Sequence, residues 1–318
     1  MRGSRAKILE NDMNALSKLG WVFGFTLIAG RAWGLDPLVG PEWAKENLET
    51  PQVVFVDIQD PEAYQRFHLP GAVNAPYAQW RTTGKGEPAS MLPPVERLES
   101  LIGGLGIGNE DAVVIVASGR GAGDLSAAAR VYWTFKVLGH DRVAVLNGGL
   151  VGYAKAGKGA FPLKSGPEKR VSKSYRAQVR PGLVASLADT RGDLERGVQM
   201  VDARSPGEFL GLQSGGDGER AGTIPGAKNL PFDWLTVNGS AELRSPGALK
   251  ELYATLGVSA TGEQVHFCHS GNRAALNWFV SYALFGNDQA KLYDGSMMEW
   301  SRQPDLPLEQ KIELCQGC

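Results

Sequence analysis

Apolar and polar positions alternate along this chain in blocks, with short apolar runs separated by longer segments of helical spacing. Residues 53–57 and 198–202 are two such runs, and each ends in an aspartate. Short apolar runs bounded by turn residues are typical of strands buried on both faces. Strands that alternate with helical segments predict a mostly parallel sheet with helices on both faces. The pattern therefore predicts an α/β fold.

The same order of segments occurs twice. The motif Leu-Pro-Gly-Ala-Val-Asn of residues 69–74 reappears as Ile-Pro-Gly-Ala-Lys-Asn at residues 224–229. The apolar run 113–116 matches the run 264–267 at a similar offset. Two copies at so long a period indicate a tandem duplication of one domain and not a solenoid.

The duplication predicts the domain boundaries. Residues 36–157 form the first domain and residues 184–309 the second. Residues 158–183, rich in Gly, Lys, Ser and Pro, have the composition of an exposed linker. Residues 1–35 precede the first domain, and residues 310–318 form a tail that contains a Cys-x-x-Cys pair.

Residues 1–35 have the features of an export signal. Four basic residues accompany an apolar run over residues 19–30, which is too short for a membrane span, and small residues follow at Ala32 and Gly34. This predicts a periplasmic or secreted protein with no stable membrane insertion after the signal is removed. The alternative is a buried or interfacial N-terminal helix on a cytoplasmic protein.

Composition excludes several function classes. The 318 residues contain 33 Lys and Arg against 34 Asp and Glu, giving a net charge of −1. Since no basic stripe appears, we expect no nucleic-acid partner. Three cysteines form no disulfide framework, and four histidines show no zinc spacing, so we expect neither a metal nor another cofactor.

One cysteine lies where a strand, a glycine-containing loop and a helix follow one another. The apolar run 264–267 ends at Cys268, and a helix is predicted to start at Ala274. Main-chain N–H groups in such a loop bind anions and stabilise a thiolate. We predict that Cys268 is a nucleophile and that the consecutive N–H groups from His269 to Ala274 form its anion cradle. Gly271 allows the backbone to turn there.

The two copies differ at this place. The position that matches Cys268 is Ala117, so the first domain is predicted to be catalytically silent. Ser118 follows it, without an evident His or Asp partner to activate a hydroxyl. Residues 211–222 are glycine-rich and have no counterpart in the first copy. We expect them to form a loop at the domain interface, near the site.

These motifs resemble the rhodanese family in its tandem-domain form, which includes thiosulfate and 3-mercaptopyruvate sulfurtransferases. Residues 64–72 are similar to the N-terminal signature of the family and residues 293–300 to its C-terminal signature. The Cys268 loop has the family's six-residue length. The resemblance covers about residues 36–309. It implies two tandem rhodanese-like domains, of which the second is catalytic.

The resemblance implies a sulfurtransferase that moves a sulfane sulfur from thiosulfate or 3-mercaptopyruvate through a Cys268 persulfide to cyanide or a thiol, including a protein thiol. Arg204 and Arg273 would hold the small anionic donor by charge-assisted hydrogen bonds. Arg204 is equally suited to a structural ion pair with Asp202 or Glu208. The other predicted substrate-binding residues are His269, Ser270, Gly271 and Asn272.

The residues after the cysteine leave the donor open. His269-Ser270-Gly271-Asn272-Arg273 is neither the usual thiosulfate form, with Arg and Lys after the cysteine, nor the usual mercaptopyruvate form, Gly-Ser-Gly-Val. It is more similar to the loops of single-domain rhodaneses.

Two other functions remain as alternatives. A cysteine phosphatase or arsenate reductase needs five residues between its cysteine and arginine, whereas four separate Cys268 from Arg273. A non-enzymatic sulfur carrier or binding module would receive its persulfide from a protein partner. Cys315 and Cys318 could resolve the Cys268 persulfide, form a local disulfide, bind a metal with a partner, or be inert.

Overall fold

A computed structural model of the chain describes residues 35–82, 84, 90–216 and 218–312. The predicted export signal and the Cys315–Cys318 pair lie outside the described residues, so both stay predictions. Within the described ranges, no helix is long and apolar enough to cross a membrane.

The first copy is a five-stranded parallel sheet in the order β1-β5-β4-β2-β3. Its strands are β1 Leu38–Val39, β2 Val53–Asp57, β3 Val73–Asn74, β4 Ala112–Val116 and β5 Val143–Leu146. Its helices are α1 Pro41–Glu46, α2 Pro61–Arg66, α3 Val95–Gly104, α4 Ala122–Val137 and α5 Gly149–Gly157, with a 3₁₀ turn at Tyr77–Trp80. All five residues of β2 and of β4 are buried, as their unbroken apolar runs predict.

The second copy repeats this topology in the order β6-β10-β9-β7-β8, again with every pairing parallel. Its strands are β6 Val184–Ala185, β7 Gln199–Asp202, β8 Lys228–Asn229, β9 Gln264–Phe267 and β10 Ala290–Tyr293. Its helices are α6 Leu187–Glu195, α7 Pro206–Leu210, α8 Pro246–Thr255, α9 Asn272–Phe279 and α10 Ser296–Trp300. A π-helical turn follows at Val280–Leu284, and 3₁₀ turns lie at Pro181–Leu183, Phe232–Leu235 and Val237–Gly239. The predicted fold class and duplication are confirmed.

Buried aspartates end the matching strands β2 and β7 and form the same turn. Asp57 accepts the Gln59 main-chain N–H at 2.8 Å, and Asp202 accepts that of Arg204 at 2.9 Å. Burial raises the pKa of Asp57 to about 6, although hydrogen bonds from Gln59 act in the opposite direction. Arg204 thus stands where the first copy has an uncharged glutamine.

The two copies share one hydrophobic core, because α4 of the first packs against α9 of the second. Tyr132 of α4 meets the Phe279 ring edge-on, with 4.9 Å between ring centroids. Aromatic pairs of this geometry contribute about 0.5–1.5 kcal/mol beyond the area they bury. The first copy is therefore packed directly against the helix that follows Cys268.

The connecting residues 158–183 run along the first copy, held by main-chain hydrogen bonds. The Lys173 N–H donates to Gly103 O at 2.9 Å, and the Gln178 N–H donates to Leu138 O at 2.8 Å. Tyr175 is buried between these points. The domain boundaries drawn at residues 157 and 184 stay predictions.

Candidate active site

Cys268 directly follows β9 and begins the loop that leads into α9. The helix begins at Asn272, two residues before the predicted start, with Gly271 as its N-cap. Gly271 has a left-handed backbone, with φ +74°, and a Cβ there would lie 2.6 Å from Arg130 Nη1 and 2.9 Å from Asp294 O. Glycine is therefore required at this position both by its backbone and by its neighbours.

Cys268 is a free cysteine that is only 1 % exposed, at the edge of the core shared by the two copies. Its surroundings are not purely apolar, since the charge of Arg273 interacts with it. The first turn of α9 also starts beside it, and N–H groups there have no carbonyl partner within the helix. Any reactant of Cys268 must therefore reach a buried thiol that lies beside polar donors.

The Ser296 hydroxyl accepts hydrogen bonds from two main-chain N–H groups of the Cys268 loop. Its Oγ accepts the N–H groups of Cys268 at 3.1 Å and Gly271 at 3.0 Å, and donates to Tyr293 O at 2.8 Å. Ser296 itself has φ +52°, which is uncommon for a residue with a side chain. The prediction that all consecutive N–H groups from His269 to Ala274 form the cradle is therefore wrong at Gly271. Its N–H points at Ser296.

Arg273 ends the loop and forms a two-pronged ion pair with Glu208 of α7. Its Nη1 and Nη2 atoms lie 2.7 and 2.8 Å from the two carboxylate oxygens. Burial alone would raise the pKa of Glu208, but hydrogen bonds and charge from Arg273 lower it to about 2. Burial alone would lower the pKa of Arg273, which Glu208 and Cys268 instead raise above its ordinary value. Both guanidinium Nη atoms of Arg273 are thus already hydrogen-bonded to Glu208, and contact of Arg273 with substrate stays a prediction.

Arg204 is buried and forms a structural ion pair with Asp202, one of the two partners that the sequence allows. Its Nε and Nη2 atoms donate to the Asp202 carboxylate at 2.6–3.1 Å, and Nη2 also donates to Gly222 O at 2.8 Å. The Asp202 carboxylate further accepts the Thr223 hydroxyl at 2.8 Å. This network orders β7 and the start of the next segment. Contact of Arg204 with substrate stays a prediction.

Within the glycine-rich residues 211–222, Gly215 and Glu219 lie against His269, the first residue after Cys268. Its Nε2 atom is 3.1 and 3.2 Å from the Glu219 carboxylate oxygens, and Glu219 is also paired with Arg302. A Cβ on Gly215 would lie within 2.5 Å of both His269 and Glu219. The expected placement of this segment near the site is correct, whereas its placement at the domain interface stays a prediction, since the contacts of its described residues given above are all with the second copy. Within the described ranges, no group of three or more His, Cys, Asp or Glu could hold a metal ion.

Side chains of the first copy reach across to the loop. Tyr77 donates its hydroxyl to Asn272 Oδ1 at 2.5 Å, and Arg81 Nη2 donates to Ser270 O at 2.5 Å. Burial raises the pKa of Tyr77, so its hydroxyl remains a donor well into the alkaline range. The predicted loop residues Ser270 and Asn272 are thus fixed by the copy that lacks a nucleophile.

Arg130 of α4 is the most deeply buried of these cross-copy contacts. Its side chain is fully buried, donates from Nη2 to Asp294 Oδ1 at 2.5 Å and from Nη1 to Gly271 O at 3.3 Å, and lies over the Trp133 ring. The other Asp294 carboxylate oxygen accepts the Leu92 N–H at 2.7 Å. Asp294 therefore binds the first copy at two points.

Sequence reasoning missed Tyr77, Arg81, Arg130 and Ser296 as determinants of the site. One signal was available for Arg130, which is a charge within the apolar stretch from Ala127 to Trp133 of a single helix. A charge at such a position is almost never buried without a partner. No comparable signal marks Tyr77, whose partner lies 195 residues away.

The loop of the first copy that matches the Cys268 loop is hydrogen-bonded to a carboxylate, that of Asp124. The Asp124 carboxylate accepts hydrogen bonds from the Ser118 hydroxyl and from the Arg120 N–H, the latter at 2.8 Å. Asp124 lies in the first turn of α4, where negative charge is favoured. Thus Ser118 is paired with a carboxylate, contrary to the expectation from sequence.

Tandem parallel sheets with a cysteine at the start of a strand-to-helix loop define a class of two-domain α/β proteins with one buried thiol at a strand end. Comparison with known families identifies the class. The rhodanese-like domain family matches residues 40–156 and residues 186–303. The chain belongs to the rhodanese sulfurtransferase family.

Individual relatives agree. "Putative thiosulfate sulfurtransferase 1" of Mycobacterium bovis is 33 % identical over 285 residues, which is 86 % of this chain and 98 % of the relative. A "Putative thiosulfate sulfurtransferase" of Haloferax volcanii is 31 % identical over 86 % of this chain and 96 % of the relative. SseA from Escherichia coli, a 3-mercaptopyruvate sulfotransferase of known structure, has 26 % identity and a TM-score of 0.70, covering 82 % of this chain and 98 % of SseA.

Proposed function

We propose that this protein transfers a sulfane sulfur from thiosulfate or 3-mercaptopyruvate, through a persulfide on Cys268, to cyanide or a thiol acceptor. The observation that carries the proposal is the placement of Cys268 before the N-terminus of α9, with Arg273 in electrostatic contact. A thiolate is the attacking form of cysteine, and the N-terminus of a helix attracts anionic ligands.

With thiosulfate, the Cys268 thiolate attacks the sulfane sulfur. A Cys268 sulfur–sulfur bond forms, the bond to the sulfonate group breaks, and sulfite leaves with the electron pair. With 3-mercaptopyruvate, the carbon–sulfur bond breaks instead, and the enolate that leaves takes up a proton to give pyruvate. In the second half-reaction, the acceptor attacks the outer sulfur and the Cys268 thiolate is regenerated.

The site's charge balance supports a small anionic donor held mainly by the main chain. Both candidate arginines already have a carboxylate partner, Arg204 with Asp202 and Arg273 with Glu208. The N–H groups of the first turn of α9 add partial positive charge without a counterion. We therefore expect the donor anion to bind at that turn and to compete with Glu208 for Arg273.

The test is a comparison of initial rates with thiosulfate and with 3-mercaptopyruvate, using cyanide and then a small thiol as acceptor. The names of the relatives from Mycobacterium bovis and Haloferax volcanii support thiosulfate as donor, and the similarity to SseA supports 3-mercaptopyruvate. Cys268→Ser is expected to abolish both activities. Phosphatase turnover with little sulfur transfer would contradict the proposal. Stable loading of Cys268 without turnover to any small acceptor would favour a sulfur carrier.

We also propose that the protein is exported, on the basis of the composition of residues 1–35. N-terminal sequencing of the periplasmic or secreted fraction tests it. A chain that starts beyond Ala32 supports export, whereas an intact Met1 on a cytoplasmic protein contradicts it.

A further inference from the structure

Two adjoining cavities, of about 510 and 350 Å³, lie in the first copy at the carboxyl ends of its strands. Ile58 and Ala117, the residues that follow β2 and β4, line the larger cavity. The two cavities share four lining residues: Gln59, Ala63, Ser118 and Arg120. Cavities that hold small molecules measure about 300–1,000 Å³, and ligands of parallel α/β sheets bind outside the carboxyl ends of the strands. The cavities therefore have the size and the place of a ligand site, in the copy that lacks a nucleophile.

The duplication explains why this space is open. In the second copy, Glu208 and Arg273 form an ion pair beside the Cys268 loop. At the matching positions, six residues beyond the ends of β2 and β4, the first copy has Ala63 and Ala122. Two alanines thus replace a large ion pair. Because Ala63 lines both cavities, space that a glutamate fills in the second copy is accessible in the first.

The smaller cavity is lined by two cationic side chains, those of Arg66 and Arg120, and both residues are exposed. Among the residues that the structure describes, neither guanidinium group has a hydrogen-bond or ion-pair partner. Two acidic residues, Asp60 and Asp124, line the larger cavity and not the smaller one. Guanidinium groups bind carboxylates through paired, charge-assisted hydrogen bonds. The smaller cavity therefore favours the anionic part of a ligand.

Much of the remaining wall of the smaller cavity is apolar. Phe67, Leu150 and Val151 line it together with Ala63. Phe67 is 60 % exposed, so a ligand that covers its ring removes apolar surface from water. The combination of two cations with an apolar wall suits a molecule that carries one anionic group on a short apolar chain.

We propose that the first copy binds a small organic anion, an aliphatic carboxylate, in this cavity. The carboxylate group contacts Arg66 and Arg120, and the aliphatic chain packs against Phe67 and Val151. Binding is non-covalent and does not depend on the proposed chemistry of Cys268. The duplicated domains thus contain two ligand sites at matching places, of which only one has a nucleophile.

The experiment is isothermal titration calorimetry of the full chain with hexanoate and with two matched probes. Hexanamide has the same chain without the charge, and acetate has the charge without the long chain. Hexanoate is expected to bind at one site per chain, about tenfold or more tightly than either matched probe. The difference from hexanamide measures the charge-assisted hydrogen bonds, and the difference from acetate measures the burial of the chain.

Substitutions locate the site. Arg66→Met with Arg120→Met should weaken hexanoate binding about tenfold or more, because the charge-assisted hydrogen bonds are lost. Phe67→Ala should weaken it several-fold. The control is Arg176→Met with Arg191→Met, which removes the same charge at two exposed positions that line neither cavity, and it should bind hexanoate as the wild type does. An unchanged urea midpoint of each variant shows that it is folded.

Four results would overturn the proposal. The first is no saturable binding of hexanoate by the wild-type chain at millimolar concentrations. The second is equal binding of hexanamide, which would leave the two arginines without a role. The third is unchanged binding by the Arg66→Met and Arg120→Met chain, which would place the anion elsewhere. The fourth is an equal loss in the Arg176→Met and Arg191→Met control, which would make the effect one of net charge and not of a site.

Discussion

Arg130 Nη2 lies 2.5 Å from Asp294 Oδ1, in an ion pair that joins a helix of the first domain to the strand end beside the Cys268 loop of the second. Arg130 also donates to Gly271 O within that loop. Both charges are almost fully buried, so neither is screened by solvent. The first domain therefore fixes part of the backbone of the loop that begins at Cys268.

Replacing Arg130 tests this relationship. Arg130→Met keeps the volume of the side chain but leaves Asp294 as an uncompensated buried charge, a change that costs about 3–5 kcal/mol in proteins. We expect a loss of that order in the free energy of unfolding, measured by urea denaturation. A misplaced loop should lower kcat with thiosulfate, by up to about 10²-fold, more than it changes KM.

The double variant Arg130→Met with Asp294→Leu is the control. Removing both charges should recover part of the lost stability, because no unpaired charge remains, but it should not recover kcat. If Arg130→Met alone keeps both the stability and the kcat of the wild type, the loop does not depend on the first domain.

Alanine substitutions at Gly271 and Gly286 separate the effect of a left-handed backbone from the effect of close neighbouring atoms. Gly271→Ala places a Cβ 2.6 Å from Arg130 Nη1 at φ +74°, whereas Gly286→Ala has nothing within 4 Å at φ +72°. Both substitutions carry the left-handed penalty of about 1–2 kcal/mol. Only Gly271→Ala should also lose sulfur transfer, measured as thiocyanate formation. Equal activities of the two variants would show that the close packing around Gly271 has no catalytic consequence.

The Glu208–Arg273 pair predicts a pH dependence of stability. The pKa of Glu208 falls from 4.5 to about 2 in the folded protein. A lowered folded-state pKa contributes stability that is fully present above pH 4.5 and is lost as the pH falls towards 2. The contribution is up to about 3 kcal/mol, at 1.36 kcal/mol per pKa unit.

Glu208→Gln should therefore flatten the acid side of the stability profile, measured as the urea midpoint at successive pH values between about 5 and 2. The wild-type chain, measured in the same series of buffers, is the control. A profile for Glu208→Gln that is parallel to the wild type would contradict the lowered pKa.

The loop of the first domain is predicted to play no chemical part. Ser118→Ala removes a hydroxyl that donates to Asp124, and the loss of one such hydrogen bond costs about 0.5–1.5 kcal/mol of stability. The rate of sulfur transfer should stay at the wild-type value. A large fall in kcat without unfolding would make Ser118 a catalytic residue and would refute the prediction that the first domain takes no part in the chemistry.

The fold was accessible from the sequence because its signals are local. Buried parallel strands appear as apolar runs. Because the domain is duplicated, each strand is predicted from two matching segments, such as residues 113–116 and 264–267. The position of Cys268 before a helix followed from the same pattern. Helix α9 begins at Asn272, two residues before the predicted start at Ala274, because Gly271 in a left-handed conformation is its N-cap.

The cross-copy contacts could not be predicted. Arg130 meets Asp294 across 164 residues and Arg81 meets Ser270 across 189, and no periodicity within one copy encodes how two copies face each other. The role of Ser296 was hidden for a different reason. It depends on a left-handed serine backbone, which sequence patterns assign to glycine or asparagine.

The central claim is that Cys268 carries the transferred sulfur, and intact-mass spectrometry after thiosulfate treatment measures this most directly. The wild-type chain and the Ser118→Ala variant should each gain the mass of one sulfur atom at Cys268, located by peptide mapping. That sulfur should leave on addition of cyanide, and Cys268→Ser should gain none. An unmodified Cys268 in a chain that still forms thiocyanate would contradict the account.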